Sequence, residues 1–175
     1  MQRSELEHVI RASGEIAGDD EIIIVGSQAI LGQFPNAPVR LLMSMEADIY
    51  PKNKPKNADK VDGAIGEGSS FHELNGYYAQ GVGERTAVLP KNWKARLVTV
   101  NNENTSGVTG YCLEVHDLAI SKLVAQRPKD LEFLHELVRH DMIQKKTMLQ
   151  RLGQTDLQEP IRRNSRTRIK SLFQD

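Results

Sequence analysis

The sequence has little of several features that mark particular classes of protein. Cys112 is the one cysteine among 175 residues, so the chain cannot form an internal disulfide. No apolar run approaches the length of about 20 residues that a membrane span needs, and no apolar segment follows a basic start. Neither sign of charge is in excess, because 23 basic residues balance 23 acidic ones, and this balance leaves the partners open. These absences argue against secreted and membrane proteins and predict a cytoplasmic one.

The composition is that of an ordinary globular protein. Hydrophobic residues make up 39% and charged residues 26%, which excludes wholesale disorder. A chain of 175 residues can bury one core and carry a small helical appendage, but it is too short for two full domains. Cys112 lies in a stretch of alternating apolar residues, which predicts a buried thiol rather than a reactive one.

The most informative feature is an apolar strand that runs into a glycine-serine turn. Residues 21–25 are mostly β-branched and end at Gly26 and Ser27, which predicts a central strand buried on both faces. About twenty positions later, Glu46 and Asp48 flank an alanine in a second extended segment. Strand alternation places both carboxylates on one face of the sheet. Such a turn can hold phosphates on its N–H groups, and such a pair can hold Mg²⁺.

The remaining patterns predict a mixed α/β region followed by helices alone. Ser4 and Glu7 have capping-box spacing at the start of the first helix. The predicted helices cover residues 4–18, 27–32, 56–65, 117–140, 144–152 and 158–173. The predicted extended segments cover residues 39–49, 86–89, 95–100 and 109–115, with a structured loop or hairpin at 63–83. This pattern divides the chain into an α/β core, residues 1–116, and a helical region packed on it, residues 117–175.

The turn and the acidic pair resemble the signature of the nucleotidyltransferase superfamily that includes DNA polymerase beta. In that superfamily a Gly-Ser turn cradles the β and γ phosphates, and an acidic-x-acidic strand coordinates magnesium. The segment from Asp117 to Leu134 is similar to the lysine helix and Lys-Asp motif of the AbiEii-like branch, which contains bacterial toxins and phage-defence proteins. Two further motifs, Phe71-His72-x-x-x-Gly76-Tyr77-Tyr78 and Leu89-Pro90-x-x-Trp93, are similar to a bacterial group of nucleotidyltransferase-like proteins of unknown function.

The resemblance implies an α+β fold: a minimal nucleotidyltransferase-like mixed β-sheet flanked by helices, followed by a C-terminal helical region. It implies a magnesium-dependent enzyme that moves a nucleotide from an NTP to an RNA, such as tRNA, or to a protein acceptor. A toxin–antitoxin or phage-defence role would add a cognate antitoxin as partner. The implied catalytic residues are Glu46 and Asp48, which also bind the metal, with Lys122 and Asp130. The implied nucleotide-binding residues are Gly26, Ser27, Gln28, Arg127 and Lys129.

Departures from the superfamily pattern keep a second hypothesis open. Glu46 stands where aspartate is more common, and the interval between Gly26 and Glu46 is longer than usual. Phe133 replaces a second aspartate of the AbiEii-like motif. The candidates for a third carboxylate are Glu114 and Asp117, and Asp117 is equally well explained as a helix N-cap. A degenerate member that binds a nucleotide or a partner without turnover is the alternative.

Several residues have simpler interpretations. Glu46 and Asp48 fit exposed carboxylates of an edge strand, and Lys122 and Asp130 fit solvated helix charges. A hydrogen bond within the loop is the preferred role of His72 over metal binding, and packing is preferred to base stacking for the two adjacent tyrosines. The basic residues of the last helix fit an RNA-binding module, a solvated helix face or an oligomer contact: Arg162, Arg163, Arg166, Arg168 and Lys170.

Overall fold

The computed structural model describes residues 1–174 and forms two compact units. The first unit combines Met1–Ala87 with Leu97–Leu113, and the second combines Val88–Arg96 with the chain from Glu114 onward. Every strand of the described residues lies in the first unit, and the second is helical. The α+β class is therefore confirmed.

The first unit contains a five-stranded mixed sheet with the strand order β3-β2-β1-β5-β4. The strands are β1 (Glu21–Ile24), β2 (Glu46–Pro51), β3 (Tyr78–Gly81), β4 (Val98–Val100) and β5 (Thr109–Cys112). β1 pairs antiparallel with β2 and parallel with β5, and β2 pairs parallel with β3. Ile22, Ile23 and Ile24 are at most 1% exposed, which confirms β1 as a central strand buried on both faces.

Four helices belong to the first unit: α1 (Arg3–Ala17), α2 (Ile30–Gln33), α3 (Ala58–Ile65) and α4 (Ser70–Asn75). α1 ends as predicted, because Gly18 adopts a left-handed conformation with φ 61°. The capping prediction was wrong by two residues. The N–H of Gln2 donates to Oε2 of Glu5 at 2.6 Å, whereas Glu7 is buried and accepts hydrogen bonds from Arg3 and two distant asparagines.

Two of the predicted extended segments are not strands over much of their length. Within residues 39–49, Val39–Leu42 forms a short 3₁₀ helix, because Pro38 restricts φ and its carbonyl accepts a hydrogen bond from Leu41 at 2.9 Å. Residues 86–89 form no strand. Thr86 closes a turn onto Gly83, and Val88 is 41% exposed, so no neighbouring strand covers this run.

The aromatic segment 63–83 is neither a loop alone nor a hairpin. It contains α4 and then β3, which pairs in parallel with β2. A parallel pair needs a crossover connection, and here α3 and α4 supply it. Further along, β5 ends at Cys112, and this cysteine is fully buried as predicted.

The second unit contains α5 (Val115–Ala125), α6 (Pro128–Arg139), α7 (Lys145–Gly153) and α8 (Glu159–Leu172). The helical span predicted over residues 117–140 is broken, because Gln126 adopts φ 59° and Pro128 starts a new helix. Asp117 is not the N-cap of α5. Glu114 has that role, since its carboxylate accepts from the N–H groups of His116 and Asp117. None of the helices in the described residues combines the length and apolar character needed to cross a membrane.

Candidate active site

The Gly26-Ser27 turn and the acids of β2 meet at one end of the sheet in the first unit. Because β1 and β2 are antiparallel, the end of β1 lies beside the beginning of β2, and the N–H of Val25 donates to the carbonyl of Asp48 at 3.0 Å. A Cβ atom at position 26 would lie 1.7 Å from Oδ2 of Asp48. The Asp48 carboxylate therefore occupies the space that any larger residue at position 26 would need.

Glu46 and Asp48 share one face of β2. Ala47 and Ile49 between and after them are fully buried, whereas both acids are partly exposed, which confirms the predicted alternation. The acids do not lie on an edge strand, because β2 is flanked by β1 and β3.

Tyr78 holds the Glu46 side chain from the neighbouring strand. The two residues are paired in the β2–β3 register, and the Tyr78 hydroxyl donates to Oε2 of Glu46 at 3.2 Å. Tyr78 is 8% exposed. Burial, with the negative charge of Glu46 nearby, raises the pKa of Tyr78 to about 12, so the hydroxyl stays protonated and donates. Sequence reasoning missed this contact, because it depends on a pairing between residues that are far apart in the chain.

The turn itself is a three-residue 3₁₀ helix, Ser27–Ala29, followed by the single turn of α2. So short a helix has little macrodipole, so an anion at this turn would be held mainly by backbone N–H groups. The N–H groups of Ser27 and Gln28 remain as donors without an acceptor inside the helix. The Gln28 side chain is fully buried, and its Nε2 donates to the carbonyl of Ser44 at 3.1 Å. It thus anchors the turn to the segment that leads into β2.

The other predicted residues lie in the second unit, where three of them form a charged cluster. Asp130 is 1% exposed, and its carboxylate lies 3.2 Å from Nζ of the buried Lys122 and 2.7 Å from Nε of Arg127. Burial raises the pKa of Asp130, but the Arg127 hydrogen bond and the Lys122 charge outweigh it and leave the pKa below its usual value. Lys129, also predicted, is exposed.

Both candidates for a third carboxylate have structural partners within the second unit. Asp117 is fully buried and accepts from Arg96 at 2.8 and 3.0 Å, and Nε of Arg151 lies 3.1 Å from Oδ1. Glu114 caps α5 and lies 2.6 Å from Nδ1 of His116. Residues 1–174 contain no group of three acidic, histidine or cysteine side chains that could hold a metal ion.

The aromatic side chains of α4 and of Tyr77, which precedes β3, have packing and hydrogen-bonding roles. His72 Nδ1 accepts a hydrogen bond from the N–H of Gly68 at 3.0 Å, which confirms the loop-bonding interpretation. The Tyr77 hydroxyl lies 2.9 Å from Nδ1 of His8, and the Tyr77 ring contacts that of Phe71 edge to face.

Comparison with known proteins gives one finding. A family model described as "nucleotidyltransferase of unknown function (DUF6036)" matches residues 4–171. Searches of curated proteins and of solved structures found no significant match.

Proposed function

This chain belongs to the family of nucleotidyltransferases of unknown function (DUF6036), and we propose that it moves a nucleotide from an NTP to a hydroxyl of an RNA or protein. The observation that supports this most is the corner where Gly26 leaves room for the Asp48 carboxylate. A backbone turn with available N–H donors and a pair of acids on one strand face is an arrangement suited to a triphosphate and its metal.

In the proposed reaction, the acceptor hydroxyl oxygen attacks the α-phosphorus of the NTP and forms the new phosphoester bond. The bond between the α-phosphorus and its bridging oxygen breaks, pyrophosphate leaves, and the hydroxyl proton passes to a base or to water. Such transfer depends mainly on positioning and on neutralising the charge of the phosphate oxygens. Ser27 and the N–H groups of the turn are proposed to hold the triphosphate tail.

Glu46 and Asp48 fit a magnesium ion that arrives with the nucleotide. They supply two hard oxygen donors on one face, and Mg²⁺ is commonly held by one or two carboxylates with phosphates and water completing its shell. Bound there, Mg²⁺ would neutralise charge on the phosphate oxygens. Two carboxylates are too few to surround a metal ion by themselves, so Glu46 and Asp48 suit an ion whose other ligands come from the substrate and water.

The charged cluster of the second unit supports a positioning role for Asp130. Its carboxylate is nearly inaccessible and forms ion pairs with Lys122 and Arg127. A carboxylate in this position can orient the two cations, but it is poorly placed to take a proton from an acceptor hydroxyl. Within the second unit, Arg127 and Lys129, which are exposed, are then the groups proposed to meet a phosphate oxygen, whereas the buried Lys122 holds the Asp130 carboxylate.

We expect Gly26→Ala to slow nucleotide transfer by about 100-fold, the size of effect that a small misplacement of a reacting group can have. The backbone at position 26, with φ −83° and ψ −170°, suits alanine, so the new methyl group acts by displacing the Asp48 carboxylate. The measurement is the initial rate of label transfer together with the melting temperature. Gly63→Ala is the matched control, because a Cβ there meets nothing within 4 Å. Equal rates for both variants would contradict the proposal.

We expect Tyr78→Phe to raise the Mg²⁺ concentration needed for half-maximal rate by about tenfold, as outer-shell substitutions at metal sites do. The hydroxyl that fixes the Glu46 carboxylate would be lost while the ring stays packed. Glu46→Asp shortens the side chain by one methylene and moves its carboxylate away from the Tyr78 hydroxyl. In a chain that already carries Glu46→Asp, Tyr78→Phe should therefore change the Mg²⁺ requirement very little. If the double variant instead shows the product of the two single effects on the Mg²⁺ requirement, Tyr78 does not act through Glu46.

A degenerate, nucleotide-binding member of the family is the second candidate. The absence of a three-carboxylate group in residues 1–174 favours it. Calorimetric titration with Mg²⁺ and each NTP, followed by transfer of α-labelled nucleotide to RNA and to protein, separates the two. Binding without transfer supports the degenerate member, and transfer supports the enzyme.

The proposal extends to a cytoplasmic toxin or phage-defence component with a cognate antitoxin, through the AbiEii-like resemblance of the Lys122–Asp130 segment. On this extension, expression should arrest bacterial growth, and Asp48→Asn should relieve the arrest. If the unchanged protein and the Asp48→Asn variant both arrest growth, the toxicity does not depend on nucleotide transfer.

A further inference from the structure

The five cations of α8 divide into two groups by their surroundings. Arg162 faces inward and donates to the carbonyls of Leu152 at 3.1 Å and Thr155 at 3.0 Å, so it caps the end of α7. Arg168 is partly buried. Arg162 is therefore structural, and Arg168 is less accessible to a large ligand than the helix sequence alone suggests.

The other three cations form one exposed stripe. Arg163, Arg166 and Lys170 are spaced three and four residues apart, which places them on one side of the helix over about 10 Å. Ser165, Ile169 and Leu172 are buried, so the stripe lies on the solvent side of α8. Unlike Arg162, which lies 3.7 Å from Glu159, the three cations form no ion pair within residues 1–174.

The surroundings of the stripe match a phosphate backbone. Exposed neutral hydrogen-bonding residues, Asn164 and Ser171, lie beside it, and no acidic residue occurs between Ile161 and Leu172. Arginine and lysine with serine and asparagine are the side chains that most often bind phosphate and sugar oxygens. α8 contains no aromatic residue, so it offers no surface for base stacking, and recognition by this face would be independent of base sequence.

We propose that Arg163, Arg166 and Lys170 bind the phosphodiester backbone of a nucleic acid strand. That this strand is the acceptor for nucleotide transfer rests on the proposed function, whereas the binding itself does not. Three cation–phosphate contacts predict a slope of about −2 for log K against log salt, at about −0.7 for each contact with a single strand. Between about 50 and 200 mM salt, the affinity should fall about twentyfold.

The test is fluorescence anisotropy of the full chain with labelled single-stranded RNA and with DNA of the same sequence, at several salt concentrations. The triple variant Arg163→Gln, Arg166→Gln and Lys170→Gln should bring the slope close to zero, and each single variant should reduce it by about 0.7. The matched control removes three exposed lysines elsewhere, Lys56, Lys60 and Lys146, and should leave the slope unchanged. Melting temperatures check that all variants fold.

Equal binding of RNA and DNA supports the proposal for any phosphodiester backbone, and binding of RNA alone supports it with RNA as the source of the phosphates. If the control and the triple variant reduce the slope equally, the proposal is overturned, because binding would then depend on the net charge of the protein and not on this stripe. Binding to phosphatidylserine-containing vesicles without binding to nucleic acid would also overturn it. If the strand binds as expected but label is transferred neither to RNA nor to protein, the proposed function fails and the binding surface stands.

Discussion

Replacing Asp48 with asparagine is expected to lower the rate of nucleotide transfer by about 100-fold to 1,000-fold. Metal-assisted charge stabilisation contributes several kcal/mol to such reactions, and about 1.4 kcal/mol corresponds to a tenfold change in rate. The amide keeps the size of the side chain beside Gly26 but removes the negative charge that a divalent cation requires. Because the strand contact from Val25 is to the Asp48 carbonyl, the backbone pairing should survive the substitution.

The measurement is the initial rate of transfer of α-labelled nucleotide, made together with calorimetric titration of the NTP in the presence of Mg²⁺. Asp20→Asn is the control, because Asp20 is an exposed acid of the same unit and its loss changes the net charge by the same amount. An Asp48→Asn variant as active as the Asp20 control would eliminate the β2 acids as the metal site.

Replacing Asp117 with alanine is expected to lower the free energy of unfolding by about 3–5 kcal/mol, the range found when one member of a buried ion pair is removed. Asp117 is fully buried and faces two arginines whose side chains are only 19% and 15% exposed. Without the carboxylate, the guanidinium groups of Arg96 and Arg151 would remain buried and uncompensated. Urea denaturation at neutral pH measures the change.

Glu159→Ala is the control for this stability effect. Glu159 is 67% exposed and lies 3.7 Å from Arg162, and exposed pairs of this kind contribute less than about 1 kcal/mol. A further variant replaces all three members of the buried cluster, Arg96→Met, Asp117→Leu and Arg151→Met. It should recover much of the lost stability, because no unpaired charge remains. If the triple variant is as unstable as Asp117→Ala, the loss of stability comes from altered packing of the side chains and not from an unpaired buried charge.

Where sequence reasoning failed, nonlocal contacts usually decided the outcome. Ser4 and Glu7 had the right spacing for a capping box, but Glu7 binds Asn102 and Asn104 from a loop that no local pattern connects to α1. The run at residues 86–89 had strand composition but no partner strand. The 3₁₀ helix at Val39–Leu42 was predictable in principle, because Pro38 is a local signal that favours a turn.

By itself the sequence determined the features that depend on neighbours in the chain. The β-branched run of β1, the end of α1 at Gly18, the burial of Cys112 and the common face of Glu46 and Asp48 all follow from strand and helix periodicity and from glycine conformation. The tertiary structure alone decided which strands are adjacent. That choice places the Tyr78 hydroxyl on Glu46 and the Asp48 carboxylate against Gly26. In the second unit, the tertiary packing encloses Asp117 between Arg96 and Arg151. Such contacts depend on which surfaces bury each other, and no spacing along a single chain encodes that.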